Sequence, residues 1–306
     1  DLNILFGTGG VFDGQYVKLK EFYEQLVAPV GQELSGNRVG LGLLGANEQI
    51  TVTGHSLGGY LAQTFTADPM FSSKVLHAYT YNAPGYGGIW AEIAELVGFS
   101  PASTPNSKIT NLFAENGLSA TSGLGTLVGA IQSLFIENGS ATHNHSIVTL
   151  TDSLALYNLF GTIYPSMKVE SITEILNAAG TSGGSSLEST LFALRSLFQT
   201  PPNSLTLNTP LETGERDDYY LNIETLNAFL SGVPTGTFTI ESLVNQPVGT
   251  VASLADQPPQ QGLDPRAYRY ALTELNPFVI HGVDYDRHNT TGELELVNLG
   301  TGTGTL

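Results

Sequence analysis

Short apolar and β-branched runs alternate with helix-like segments over the first half of the chain. Apolar residues at helical spacing predict helices over Lys18–Val30 and Leu57–Ala67. Continuous apolar or β-branched runs predict strands over Gln49–Thr53, Val75–Tyr81 and Lys108–Ala114. Because helical segments separate these strands, the pattern predicts an α/β fold with a mostly parallel sheet and helices on both faces.

Strand signals fade after Pro165 and helical patterns take over. They predict helices over Val169–Ala178, Leu187–Phe198, Tyr219–Leu230 and Arg266–Leu275. The alternating run Glu293–Val297 predicts a short edge strand. We therefore predict two domains. Residues 1–165 form an α/β core, for which the sequence leaves open whether further strands precede it, and residues 166–306 form a mainly helical accessory region that ends in a short strand.

Composition excludes several classes of function. Charged residues make up 13% of the chain, against about 25% in ordinary soluble domains. The chain has 11 basic and 28 acidic residues, a net charge of −17, so it repels phosphate backbones and nucleic acid is not an expected partner. No apolar window approaches 18 residues, so no transmembrane segment is expected. The absence of cysteine rules out disulfides, thiolate metal sites and cysteine nucleophiles.

The same composition bears on location. An acidic, lysine-poor chain rich in Gly, Asn, Ser and Thr is more typical of a secreted bacterial protein than of a cytosolic enzyme. Its first residues show no basic region followed by an apolar core, so no signal peptide is expected within them. Since the chain also opens and closes abruptly, we expect it to be a piece of a longer polypeptide, and the rest of that polypeptide is then a candidate partner.

The strongest chemical signal is the segment Gly54-His-Ser-Leu-Gly58, a G-x-S-x-G pattern between a predicted strand and a predicted helix. That context is what a nucleophile elbow requires. Such an elbow presents Ser56 on a tight, strained turn at a helix N-terminus, and we expect Gly54 and Gly58 to leave the room that this turn needs. The backbone N–H of Leu57 is then the expected first oxyanion donor.

A serine hydroxyl needs a base and the base needs an orienting acid, which follow the serine in the chain order acid then histidine. His143 and His145 lie in a polar loop before a helical run that begins at Ile147. His145 is favoured over His143 because it is adjacent to the helix start and its backbone is better anchored.

Two glutamates compete for the role of the acid. Glu115 ends the predicted strand Lys108–Ala114 and precedes an Asn-Gly turn, which favours it, and Glu137 in a similar run is the rival. Asp68 would lie about 18 Å from Ser56 along a helix, and is excluded.

Three segments together carry a family resemblance: the elbow with Leu61-Ala-Gln63, the turn Tyr81-Asn-Ala-Pro-Gly85, and the run His145–Leu156. They resemble bacterial lipase-type α/β-hydrolases, and more narrowly the lipase-like region of very large secreted bacterial proteins that often carry calcium-binding RTX repeats. The resemblance covers most of residues 1–165. It implies a serine hydrolase that cleaves carboxylic esters of acylglycerols, phospholipids or simpler alcohols, with Ser56 as nucleophile, His145 as base and Glu115 as acid.

The chain departs from that family in two places. Lipases of this type usually carry an Arg-Gly-Thr or Arg-Gly-Ser loop that supplies the second oxyanion donor, and here the nearest match is Phe6-Gly-Thr-Gly-Gly10, without arginine. Either Thr8 or a neighbour supplies that donor, or the loop lies upstream of this chain. No RTX repeat occurs, and the acidic residues between Asp284 and Glu293 match no calcium loop. We expect no cofactor or metal in catalysis, and a structural calcium ion is left open.

Two functions from different classes follow. The first is ester hydrolysis through a Ser-His-acid triad and an acyl-enzyme, with an ester or lipid as substrate. The alternative is a catalytically silent α/β-hydrolase scaffold or adhesion module within a large secreted protein, which a missing oxyanion loop would suit.

Overall fold

The structure, a computed structural model, describes residues 10–85, 106–114, 126–137, 139–179, 186–198, 216–290, 292 and 294–295. These residues divide into two units. The first contains the described residues up to Ser133 together with Gly139–Ile147, and the second contains residues 134–137 and the described residues from Val148 onward. The helix that begins at Ile147, which the sequence analysis assigned to the first domain, is therefore grouped almost entirely with the second unit.

The first unit is built around a four-stranded sheet. Its elements in chain order are α1 (Gly10–Val27), β1 (Glu33–Leu34), β2 (Arg38–Val39), β3 (Ile50–His55), α2 (Leu57–Ala67), β4 (Val75–Tyr81), β5 (Ile109–Ala114), β6 (Ala130–Leu134) and α3 (Ala141–His145). β1 and β2 form a small antiparallel pair, and the main sheet has the order β3-β4-β5-β6. This sheet and its helices confirm the α/β class, whereas the hydrolase type stays a prediction.

The strand register decides which residues meet at the edge of this sheet. β3 pairs with β4 and β4 with β5, both in parallel. His55, Tyr81 and Leu112 lie side by side as register partners in the three strands. The residues that follow them therefore emerge at the same, carboxyl edge, which is where parallel sheets carry their sites.

Aromatic side chains pack α1 and α2 against the sheet. Tyr16 of α1 and Phe65 of α2 are buried together with Phe71 and Val75. The rings of Phe65 and Phe71 stack with centroids 4.5 Å apart. The Tyr16 hydroxyl donates to Asp68 Oδ2 at 2.7 Å, which ties the start of the chain's described part to the end of α2.

The second unit is mainly helical. Its elements are α4 (Ile147–Ile163), α5 (Val169–Ala179), α6 (Ser186–Phe198), α7 (Arg216–Ser231), β7 (Thr239–Ser242), α8 (Val248–Ala255), α9 (Pro265–Thr273) and β8 (Phe278–His281). β7 and β8 form an antiparallel pair. None of the described helices in either unit is long and apolar enough to span a membrane.

The hydrophobic pattern located the long elements better than the short ones. The helix Leu57–Ala67 and the strand Val75–Tyr81 have the predicted bounds, while the helix predicted over Lys18–Val30 runs over Gly10–Val27. β6, β7 and β8 were not predicted. The edge strand predicted over Glu293–Val297 is not seen in its described part, because Leu294 and Glu295 lie in a turn and a bend.

Candidate functional site

A sharp turn connects β3 to α2 and carries Ser56. Its backbone angles are φ 54° and ψ −122°, a combination that residues with a side chain rarely adopt. Two backbone hydrogen bonds hold the turn: Ser56 N–H donates to Tyr81 O of β4 at 2.9 Å, and Tyr60 N–H donates to Ser56 O at 3.1 Å as the helix begins. The strained residue is therefore fixed from the strand side and from the helix side.

At two of the three glycines around the turn, a side chain would collide with neighbouring atoms. A Cβ atom on Gly54 would lie 2.2 Å from the carbonyl carbon and oxygen of Gly58, and one on Gly59 would lie 2.6 Å from Ala83 Cβ. A Cβ atom on Gly58 would meet nothing within 4 Å. The expectation that both Gly54 and Gly58 leave room for the turn is thus wrong for Gly58, because its missing side chain would point into open space.

His145 belongs to the last chain segment of the first unit, and its side chain contacts Ser56. It is the last residue of α3, a short helix whose N-cap Ser140 accepts a hydrogen bond from His143 N–H at 3.2 Å. The ring Nε2 lies 2.9 Å from Ser56 Oγ, within hydrogen-bond reach for proton transfer. His143, the alternative histidine, is exposed. A hydroxyl and an imidazole that are 89 positions apart in the chain thus lie together at the sheet edge.

The surroundings of His145 favour its neutral form. Burial lowers the pKa of the half-buried imidazole, and the neighbouring His55 ring, whose centroid lies 4.8 Å away, lowers the pKa further. A base whose pKa lies below that of an ordinary imidazole is unprotonated at neutral pH and can accept a proton from a hydroxyl.

Leu57 is the first residue of α2, so its N–H precedes the first hydrogen bond within that helix. The first N–H groups of a helix have no partner inside it and carry the positive end of its dipole. The position therefore suits a donor to a developing negative oxygen next to Ser56. Thr8, the second expected donor, lies outside the described residues.

Of the two glutamates considered as the acid, only Glu137 lies among the described residues. Glu115 lies outside the described residues. Glu137 accepts a hydrogen bond from Leu187 N–H of α6 at 3.1 Å, and burial raises the pKa of its carboxyl to about 7. The described hydrogen bond of Glu137 is thus made within the second unit.

Asp68 and Asp152 each have polar partners within their own unit. Asp68 accepts from the Tyr16 hydroxyl. Asp152 of α4 is paired with Arg216 at 3.0 Å and accepts from the Tyr220 hydroxyl at 2.6 Å.

Sequence reasoning missed two side chains at the site. His55 was given no role from the sequence, and its Nε2 lies 2.6 Å from the carbonyl oxygen of His145. Asn82, which follows β4, is fully buried. Its side chain forms hydrogen bonds with the backbone of Ala114 and of Asn144. An asparagine between a strand and a proline signals only a turn, so its sequence carried no mark of this role.

No group of three or more His, Asp or Glu side chains among the described residues is arranged to hold a metal ion. In the acidic segment near the end of the chain, Asp284 bonds to Arg287 and Asp286 bonds to Arg266. The described carboxylates of that segment therefore have arginine partners.

Comparison of the chain with known protein families, with curated proteins and with solved structures finds no match. The resemblance to lipase-type hydrolases therefore stays a prediction from the sequence segments.

Proposed function

We propose that this protein is a serine hydrolase that cleaves carboxylic esters through an acyl-enzyme. One observation carries the proposal: the hydroxyl of Ser56, held on a strained strand-to-helix turn, lies 2.9 Å from Nε2 of His145. Strain of this kind costs of the order of 1–3 kcal/mol and persists where the surrounding structure enforces it, which is typical of catalytic residues. An incidental surface serine would have no need of it.

In the proposed reaction, Ser56 Oγ attacks the ester carbonyl carbon while its proton passes to His145 Nε2. The carbonyl oxygen becomes an oxyanion, which the N–H of Leu57 and the N-terminus of α2 stabilise. Collapse of this intermediate breaks the bond to the alcohol, which leaves with the proton from His145. Water then attacks the acyl-enzyme by the same route, and the carboxylic acid departs with Ser56 restored.

Glu115 is proposed as the acid that orients His145, and a hydrogen-bonded bridge supports it. Asn82 Oδ1 accepts from the N–H of Ala114, the residue before Glu115, at 3.1 Å. The same side chain donates through Nδ2 to the carbonyl oxygen of Asn144, the residue before His145, at 3.1 Å. One amide thus joins the chain on the amino side of the proposed acid to the chain on the amino side of the proposed base.

The second oxyanion donor and the biological setting are proposals from the sequence. Thr8 or its neighbour would supply the donor, unless an upstream loop does. Acylglycerols, phospholipids or simpler esters are the proposed substrates, and a secreted bacterial setting is the proposed location.

The decisive experiment is labelling with a fluorophosphonate probe, which reacts covalently with activated serines. We expect the wild type to be labelled and Ser56→Ala and His145→Ala to be unlabelled. Ser73→Ala is the matched control, since Ser73 is an exposed serine in the turn between α2 and β4. An unlabelled wild type would instead support the silent scaffold.

Substrate class is resolved by assaying ester, thioester and amide compounds side by side with the same variants. We expect Ser56-dependent cleavage of esters, with triacylglycerol and phospholipid compared next. Amide or thioester cleavage in preference to ester cleavage would assign the same machinery to a peptidase or thioesterase.

A further inference from the structure

We infer that His55 and Asn82 are positioning residues that hold the backbone at His145 in reach of Ser56. The inference rests on the proposed function, and it concerns the two side chains that the reaction scheme leaves without a chemical role. Each comes from the carboxyl end of a different strand, and each binds a carbonyl oxygen at the end of α3.

His55 binds the backbone of the proposed base. Its Nε2 lies 2.6 Å from the carbonyl oxygen of His145. A carbonyl oxygen can only accept a hydrogen bond, so the shared hydrogen resides on Nε2 of His55. Because His55 directly precedes Ser56, two neighbouring side chains of the turn hold one residue at two points, His55 its backbone and Ser56 its ring.

Asn82 binds the carbonyl oxygen one residue earlier. Its Nδ2 donates to Asn144 O, and its Oδ1 accepts from Ala114 N–H, both at 3.1 Å. Its own N–H donates to Leu112 O at 2.9 Å, and its φ of 45° lies in the left-handed region that asparagine tolerates better than most residues. Asn82 therefore ties the ends of β4 and β5 to α3.

These two bonds supply donors to carbonyl groups at the end of a helix. The last carbonyl groups of any helix lack partners within it. In α3, which has five residues, those of Asn144 and His145 are bound by Asn82 and His55, and that of His143 accepts from Ser146 N–H at 3.0 Å. Helices this short are not stable by themselves, and the two bonds from the sheet are among the contacts that stabilise α3.

Misplacing the base is costly. A displacement of about 1 Å at a reacting group lowers a rate by on the order of 100-fold. Loss of one of the two bonds should therefore lower the reactivity of Ser56 without changing how the substrate binds.

The test compares two substitutions of His55. His55→Leu removes the donor, and His55→Gln restores an N–H group at similar reach. We expect kcat for a chromogenic ester and the rate of fluorophosphonate labelling to fall about 10- to 100-fold in His55→Leu with KM unchanged, and to recover to within a few-fold of wild type in His55→Gln. The matched control is His77→Leu. His77 lies in the neighbouring strand β4 and bonds to Thr110 Oγ1 at 2.9 Å, and this variant should keep the wild-type rate.

Asn82→Gly tests the second bond separately. Glycine keeps the left-handed backbone and removes only the amide, so a fall in rate would belong to the side chain. Amide hydrogen exchange over residues 139–147 gives a readout that needs no activity, and we expect faster exchange there in His55→Leu and Asn82→Gly than in the wild type.

The outcomes separate the two proposals. Suppose that the wild type is labelled. If His55→Leu then reacts at the wild-type rate, or if exchange over residues 139–147 is the same in His55→Leu as in the wild type, the positioning role is refuted while the hydrolase stands. If the wild type is not labelled but exchange increases in the variants, the hydrolase is refuted and the anchoring of α3 stands.

Discussion

A single methyl group placed at either of two glycines should have opposite effects on stability. Gly54→Ala puts a Cβ atom 2.2 Å from two backbone atoms of Gly58, where carbon atoms normally stay about 3.5 Å apart or more. The first turn of α2 and the end of β3 must then separate by more than about 1 Å. Overpacking usually costs about 1–3 kcal/mol, and because the obstructing atoms are backbone we expect a cost of about 3 kcal/mol in the free energy of unfolding.

Gly58→Ala is the matched variant. Its Cβ atom meets nothing within 4 Å and lies in the first turn of a helix, where alanine is favoured over glycine by about 0.5–1 kcal/mol. The two variants should therefore differ by about 3–4 kcal/mol. Labelling by the fluorophosphonate probe should fall in Gly54→Ala, since Ser56 lies between the separated elements.

Unfolding in guanidinium chloride, followed by circular dichroism, measures both variants against the wild type. Equal destabilisation by the two substitutions would show that the space around the turn is not as described, and the argument for a tight elbow at Ser56 would be lost.

Three further predictions concern the turn, the base and the half-buried carboxyl group of Glu137. Ser56→Gly should be about 1–2 kcal/mol more stable than Ser56→Ala in denaturant unfolding, because both lose the hydroxyl but only glycine relieves the backbone strain; equal stability would argue against strain. Because burial and His55 lower the pKa of His145, the acidic limb of the kcat/KM profile should lie below pH 6.5, and a limb above it would contradict the assignment of the base. The pKa of Glu137 is raised to about 7, so the folded state binds more protons than the unfolded state between about pH 4.5 and 7, and stability should fall as pH rises through that range. Glu137→Gln should flatten this fall in unfolding experiments at pH 5 and 8, and an unchanged slope would assign it to another group.

Local pattern was sufficient where an element is long and its own residues decide it. The β-branched run before Gly54 and the apolar positions after Ser56 predicted a strand and a helix, and the structure has both, with the helix at the predicted bounds. Short strands such as β7 and β8 were missed because four residues give too little periodicity, and pairing between distant segments stabilises them.

The sequence predicted those residues of the site that a local motif or the residue type identifies. Ser56 followed from a motif and its flanks, and His145 followed from the few histidines that a helix start could anchor. The prediction for Gly58 was wrong, because the direction in which a Cβ atom would point there depends on how α2 leaves the turn. His55 and Asn82 lie in segments that the sequence analysis used, but their contacts could not be predicted, since their partners lie 90 and 62 residues further along the chain.

The sequence by itself determined the class of fold, the sharp turn at Ser56 and the chemical identity of the groups that meet there. These depend on local sterics and on hydrophobic periodicity, which act over a few residues. Only the tertiary structure decided that the imidazole of His145 reaches the hydroxyl and that its backbone is bound from β3 and β4. Contacts of that kind depend on strand register and on the course of the connecting chain, and no short stretch of sequence specifies either.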